Sequence, residues 1–438
     1  MTIPNQFRLL REKKFYPLFI TQFLGAFHDN LYKNALVVLI IYHLAAELGY
    51  SQKTQQLLTT LAAGALILPF FLFSAIGGQL ADRFPKEKVM QGVKIFEICI
   101  ALMGSVSLVL GWLPLCYLTI FALGMHSALF APSKYSILPQ HLAQKELIGG
   151  NALLSTGTFL AILLGTIVGT MTMTAEIGVY IVSGLMFVTA VTGYLASLSI
   201  PHAPPEDQNQ KVSFNFFTET ARVIRYAFRQ PKNIIWPMLG KAWFFFIGSM
   251  FMAQFANFTK GYLGGDEHIL TLFLILFSIG IAVGGLCNNR LLKGRISGAF
   301  TPFAAIGLTV FSLDIYYTSL AIHPPSFDAL VGLYEFLGQL TSWRIIVDIF
   351  MVAFFGGLYV VPLSTIIQDR TPARTRARIM AGSSIFDSLF MVVSAILSVL
   401  LISIGWTVPD LFLAFGIANA FVACYMWITI RYYLPPSD

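Results

Sequence analysis

Twelve apolar runs of membrane-spanning length follow one another along this chain. They fall at about residues 17–45, 56–80, 89–110, 114–138, 149–172 and 177–200, and again at 233–262, 268–291, 298–322, 343–367, 379–404 and 408–431. Each reaches the roughly 20 residues that a helix needs to cross a hydrocarbon layer. Backbone polar groups in lipid must be satisfied within a helix or a closed barrel, and these runs are far longer than barrel strands, so helices remain. Side-chain composition agrees, with 56% apolar or aromatic residues and 11% charged among 438. A soluble domain carries roughly 25% charged residues. So few charges cannot clothe a water-facing surface, and the apolar content excludes a disordered chain. Asp29 and Lys33 inside the first run, its length and the lack of a small-residue cleavage site argue against a cleaved leader.

Basic residues set the expected orientation. With the N-terminus cytoplasmic, 22 of the 28 Lys and Arg lie on that side, three (Lys53, Lys260 and Arg344) on the other, and Lys33, Lys94 and Lys241 within spans. The net charge of +7 therefore reflects cytoplasmic loops and not a nucleic-acid partner. Cys99, Cys116, Cys287 and Cys424 each stand alone in or beside an apolar run, so no disulfide framework, metal set or cofactor is expected. The longest polar stretch, 201–232, opens on Pro201, Pro204 and Pro205 and then spaces Arg222, Arg225 and Arg229 as on a helix. It reads as a cytoplasmic linker with a surface helix between bundles 1–200 and 233–438. Gly77-Gly78 and Arg83 return 207 residues later as Gly284-Gly285 and Arg290, with two further bases in each copy. Fainter echoes relate Pro132 to Pro362 and Gly150-Asn151 to Gly382-Ser383. The expectation is an all-α integral membrane protein of 12 transmembrane helices in two six-helix pseudo-repeats, both termini cytoplasmic, with a site between the halves.

The segment Gly78-x-Leu80-Ala81-Asp82-Arg83-x-x-Lys86-x-Lys88 resembles the signature that the major facilitator superfamily carries between its second and third helices. Glycine permits close helix approach, and an acid at a helix end can meet a neighbouring helix's N-terminal dipole in one conformer only. Gly78, Asp82, Arg83 and Lys86 are thus expected to form a conformational latch, Arg290 being its counterpart in a copy with Asn288 and Asn289 in place of the acid.

Ionisable groups inside spans cost about 2.5–3.5 kcal/mol each on insertion scales and mark functional positions. Gln22, Ala26, Asp29 and Lys33 share one helical face, flanked by Asn30 and by His28, which is read as packing. Asp29 and Lys33 could neutralise one another or receive a zwitterionic head group. Lys134 follows Pro132 and is a candidate phosphate ligand. Asn151, Ser155 and Thr158 share a face that continues into Gly165-x-x-x-Gly169, a helix-packing seam. Asp387 gives the second half an acid of its own, and Lys241 faces either the cavity or the interface. Lys94 and Glu97 are spaced as a self-neutralising structural pair. Asp348 has Arg344 four residues before it, and Asp314 is placed at the bundle periphery.

Further stretches resemble one branch of that superfamily, the bacterial lysophospholipid transporters and the transporter domains fused to acyl-carrier-protein synthetase and acyltransferase modules. They are residues 21–36 with Asp29-Asn30 and Lys33, Ala131-Pro132-Ser133-Lys134-Tyr135, Gly150-Asn151-Ala152-Leu153, Trp243-Phe244-Phe245-Phe246 and Gly356-Gly357-Leu358-Tyr359-Val360-Val361-Pro362-Leu363. Fused members often have Asn where Asp387 stands here. The resemblance implies movement of lysophospholipid, chiefly lysophosphatidylethanolamine, toward the cytoplasmic leaflet of the bacterial inner membrane, a monomer, and reacylation by a separate acyltransferase. Candidate substrate contacts are Gln22, Asp29, Asn30, Lys33, Lys134, Asn151, Ser155, Lys241 and Asp387. The alternatives are a proton-coupled carrier of a drug, siderophore or metabolite that titrates Asp29 or Asp387, and a non-transporting scaffold for a phospholipid enzyme. No nucleophile–base pair or phosphate-cradling glycine loop points to an enzyme. A cysteine placed at position 208 of the linker should react with an impermeant maleimide in inverted membrane vesicles and not in intact spheroplasts.

Overall fold

The computed structural model describes residues 5–44, 48–321 and 330–433. Residues 45 and 322, the last of the first and ninth expected spans, and both extreme termini lie outside the described residues. The first half comprises α1 (Tyr16–Val38), α2 (Gln52–Arg83), α3 (Lys86–Leu110), α4 (Leu113–His141), α5 (Gln144–Met173) and α6 (Gly178–Ser197). The linker holds α7 (Phe216–Phe228), and the second half α8 (Lys232–Ala256), α9 (Glu267–Leu291), α10 (Thr301–Leu320), α11 (Leu340–Arg370), α12 (Arg376–Ser403) and α13 (Val408–Tyr433). Eleven of these are long and apolar enough to cross a membrane. At 23 residues α1 is comparable in length, but Gln22, His28, Asp29, Asn30, Lys33 and Asn34 dilute its apolar character.

Local chemistry sets the helix ends. Ser51 accepts a hydrogen bond from the Thr54 amide at the start of α2, and Asp266 accepts two at the start of α9. Gly111, at φ 60°, ends α3 in the left-handed conformation that glycine tolerates.

The glycines foreseen as packing points bring helix backbones together. A Cβ on Gly165 or Gly169 of α5 would lie 2.5 Å from the carbonyl oxygens of Phe27 and Leu31 in α1. The two copies of the glycine pair pack alike at one position. Gly77 abuts Ala128 and Leu129 of α4, and Gly284 abuts Phe354 of α11, each in its own half.

The linker helix α7 is docked. Thr220 donates to the Phe71 carbonyl of α2 at 3.0 Å, buried Glu219 receives Gln79 at 2.5 Å, and Val223 packs by Gly382 of α12. It thereby fills one end of the cleft between α2 and α12, leaving Phe214 and Phe217 outside, 75% and 67% exposed.

Gly284→Ala should lower the thermal unfolding temperature in detergent, because its Cβ would fall 1.8 Å from the Phe354 carbonyl oxygen and overpacking costs about 1–3 kcal/mol. Gly92→Ala, with nothing within 4 Å, should raise stability by up to about 1 kcal/mol through helix propensity.

Candidate substrate cavity between the two halves

A cavity of about 350 Å³ lies between the bundles, walled by α1, α2, α3, α4 and α5 on one side and α8 and α12 on the other. Of the candidate contacts, Gln22, Asp29, Asn30, Lys134, Lys241 and Asp387 line it. The rest of the lining is apolar or aromatic, including Leu66, Phe70, Phe130 and Phe245.

The two acids are held differently. Asp29 accepts a 2.5 Å hydrogen bond from Ser127 of α4. Asp387 accepts one of 2.5 Å from Lys241, whose ammonium also reaches Ser383 at 3.2 Å. This pair joins α8 to α12 and leaves one oxygen of Asp387 without a partner. The Lys134 ammonium lies 4.6 Å from the centre of the Tyr135 ring, and among the described residues no carboxylate comes within 4 Å of it. Among the candidate contacts, Lys134 is thus a cation without an acid, Asp29 an acid on a hydroxyl, and Lys241 and Asp387 an ion pair.

Three expectations are corrected. Lys33 forms no ion pair with Asp29 within 4 Å and is not part of the cavity lining. Its ammonium donates to Asn30 at 3.1 Å, because Asn30, three residues back, offers an oxygen on its side of the helix. Asn151 is withdrawn from the cavity into a reciprocal amide pair with Gln368 of α11, 2.8 Å in both directions, which ties the halves together. Ser155 is also off the lining; one turn onward, Thr158 occupies it and donates to Gln22 at 2.8 Å.

The latch is partly as expected. Gly78 lets α2 meet α12, since a Cβ there would fall 2.8 Å from the Ala381 methyl and 3.1 Å from the Ala377 carbonyl oxygen. Asp82 is fully buried and faces the first amides of α12, at Ala377 and Arg378, without reaching hydrogen-bond geometry. Lys86 is buried and donates to the Pro204 carbonyl at 3.4 Å, anchoring the linker. Arg83 and Arg290 depart from the expectation. Both side chains are exposed, Arg83 stacks on its own Phe84, and neither forms an ion pair among the described residues, because both sit at helix ends beside solvent. Other ties at this basic end are Gln6 to the Leu286 carbonyl at 3.2 Å and Arg374 to Asp207 at 3.1 Å.

Lys94 and His126, which were not among the candidate contacts, also line the cavity, while His28 is fully buried, as a packing residue is, with its ring 3.7 Å from Glu97. The i,i+3 spacing of Lys94 and Glu97 was the visible signal, and the two do pair at 2.5 Å. Near the other end of the second half, Arg344 pairs with Asp314 rather than Asp348.

Apolar helices, eleven of the described ones long enough to cross a membrane, packed around a charged, partly apolar chamber are the build of a membrane carrier. The chain belongs to the Major Facilitator Superfamily, which it matches over residues 18–341. Over 425 residues, 94% of each chain, it is 26% identical to the lysophospholipid transporter LplT of Photorhabdus laumondii. It is 24% identical over 423 residues to the LplT of Klebsiella pneumoniae, 96% of each chain. Its fold is shared with the human organic anion transporter MFSD10 (TM-score 0.74, 12% identity, 96% of this chain and 100% of that one). It is also shared with the proton:xylose symporter XylE (TM-score 0.70, 12% identity, 97% and 96%).

Lys241→Ala would leave Asp387 buried without its cation and should destabilise the protein by about 3 kcal/mol or more. The double variant Lys241→Met/Asp387→Leu should recover most of that loss in a denaturant titration in micelles.

Proposed function

We propose that this protein moves lysophospholipids of the lysophosphatidylethanolamine kind across the bacterial inner membrane, toward the cytoplasmic leaflet, by alternating access. In this reading α1 is the twelfth span, the basic loops and both termini face the cytoplasm, and the carried lipid is reacylated by a separate acyltransferase. One observation carries the proposal. The charged cavity shares Ile67 and Ser388 with an apolar groove of about 700 Å³ between α2 and α12. That groove is bordered by Leu61, Leu68, Leu389 and Val392, all of them exposed on the flank of the bundle that faces lipid.

A single-chain amphiphile fits this combination. In this reading Lys134 takes the phosphate and Asp29 the ammonium, and the Lys241–Asp387 pair exchanges partners with either. The acyl chain needs no enclosing pocket, because the groove lets it remain against lipid. The groove lies toward the end of α2 remote from the basic loops, while α7 plugs the cleft at the basic end, with Thr220 on Phe71 as its floor. Access would therefore be from the outer leaflet, and release inward would require α7 and the Gly78 contact to part.

Proteoliposomes should take up labelled lysophosphatidylethanolamine, and Asp29→Asn and Lys134→Ala should each reduce the initial rate at least about tenfold, the loss of one charge-assisted contact. Gly64→Trp enters open space in the groove. It should slow long-chain substrates while leaving binding of a hexanoyl analogue intact. No uptake by the wild-type protein would overturn the proposal.

A further inference from the structure

The linker helix α7 has three unlike sides. Glu219, Thr220, Val223 and Ala227 are buried against α2 and α12. At about 100° per residue, Phe217, Ala221 and Phe228 fall on a second strip next to the buried side, and all three are exposed. Arg222, Arg225 and Arg229 occupy the sector beyond that strip and are exposed as well. Between residues 211 and 232 there are five bases and a single acid, Glu219. That acid is buried and pairs with Arg222 at 2.5 Å, whereas Arg225 and Arg229 form no ion pair within 4 Å among the described residues. Arg378 of α12 adds to the positive charge here, its guanidinium 5.7 Å from the centre of the Tyr226 ring.

The depth at which α7 sits decides what covers the two exposed sides. Thr220 rests on Phe71, which lies about 18 Å along α2 from Arg83 at its basic end, and Val223 rests on Gly382, about 9 Å into α12 from Arg376, at 1.5 Å per residue. One leaflet of hydrocarbon is about 15 Å deep. The helix therefore lies against the bundle at the level of the leaflet on the basic side. Phe71 also lines the apolar groove between α2 and α12, so α7 continues the same lipid-facing flank where that groove stops. Rings at this level meet acyl chains, and arginines on long apolar stems reach up to the head groups. A soluble protein would not reach aromatic side chains set below the head groups. A basic sector with no exposed acid matches a lipid of net negative charge rather than a zwitterionic one.

We propose that the outer face of α7 is a binding surface for anionic phospholipid of the leaflet on the basic side, with Phe217 and Phe228 among the acyl chains and Arg225 and Arg229 on the head-group phosphates. The helix is then held from two sides, by the α2–α12 cleft and by the membrane. This surface is separate from the charged chamber and does not depend on what the chamber carries.

Benzoylphenylalanine in place of Phe217 in the full-length protein, reconstituted in nanodiscs of equal parts phosphatidylglycerol and phosphatidylcholine, reports the neighbouring lipid as photo-adducts read by mass spectrometry. Phosphatidylglycerol adducts should exceed phosphatidylcholine adducts about fivefold or more at low salt, the preference that one or two bases confer near an anionic surface. The excess should shrink at high salt, which screens exposed charges. The same probe at Leu102, exposed on α3, should capture the two lipids equally. Arg225→Gln/Arg229→Gln should bring position 217 to that parity, and Arg225→Lys/Arg229→Lys should keep the excess. Equal capture with both arginines present overturns the proposal, as does an excess that persists in the glutamine variant. So does a lack of lipid adducts at position 217 where position 102 yields them, or capture of a protein in place of lipid in inverted native membranes. The protein with both arginines decides even where the glutamine variant does not fold.

Discussion

A charge carried into a helical bundle inside a membrane has to be compensated within a few ångströms, and that requirement governs how the helices of this protein associate. Lys241 of α8 is tolerable because Asp387 of α12 meets it. Lys94 is tolerable because Glu97 meets it one turn on. Asp29 has Ser127 from α4 and the ring of His28. The attraction within such pairs is strong because the surroundings are poor in water, and the same scarcity makes an unmatched group costly. The cavity is the place where matching is incomplete, and incomplete matching is what allows a charged ligand to be bound.

The second organising feature is close backbone approach at glycine. Gly165 and Gly169 seat α1 against α5, while Gly77 and Gly284 each draw a second helix of the half onto its neighbour. Between the halves, Gly78 does the same with α12. Lipid tails are as apolar as leucine, so helices in a membrane gain little from burying apolar surface, and dense packing at small residues takes over that role. A contact such as that of Gly78 with Ala377 and Ala381 is intimate but small, which suits an interface that has to open and close.

Much of the architecture was legible before any coordinates. The apolar runs matched helices, the helical spacing of Arg222 and Arg225 fell within α7, and Gly77 and Gly284, matched in sequence, each meet the backbone of a neighbouring helix. Of the cavity lining, Asp29, Lys134, Lys241 and Asp387 were visible as candidates, since a charged residue in an apolar run is conspicuous in one dimension. Partners were harder. Lys33 appeared one turn from Asp29 and suggested a pair, yet Asn30 offered its ammonium an oxygen at shorter reach. Asn151 appeared to belong to the cavity face of α5, but its partner, Gln368, lies 217 positions away. His126 was not visible in the sequence pattern, because its nearness to Glu97 comes from α3 and α4 meeting in space.

The sequence by itself determined that this chain is a bundle of apolar helices in two related halves with a few charges inside the membrane, because hydropathy and helical period are properties of neighbouring residues. Only the tertiary structure decided which charges meet, which one stays unmatched, which end of the α2–α12 cleft α7 fills, and where the apolar groove joins the polar chamber. Those outcomes depend on distances between residues far apart in the chain, and electrostatic energy in a medium of low dielectric changes steeply over a few ångströms.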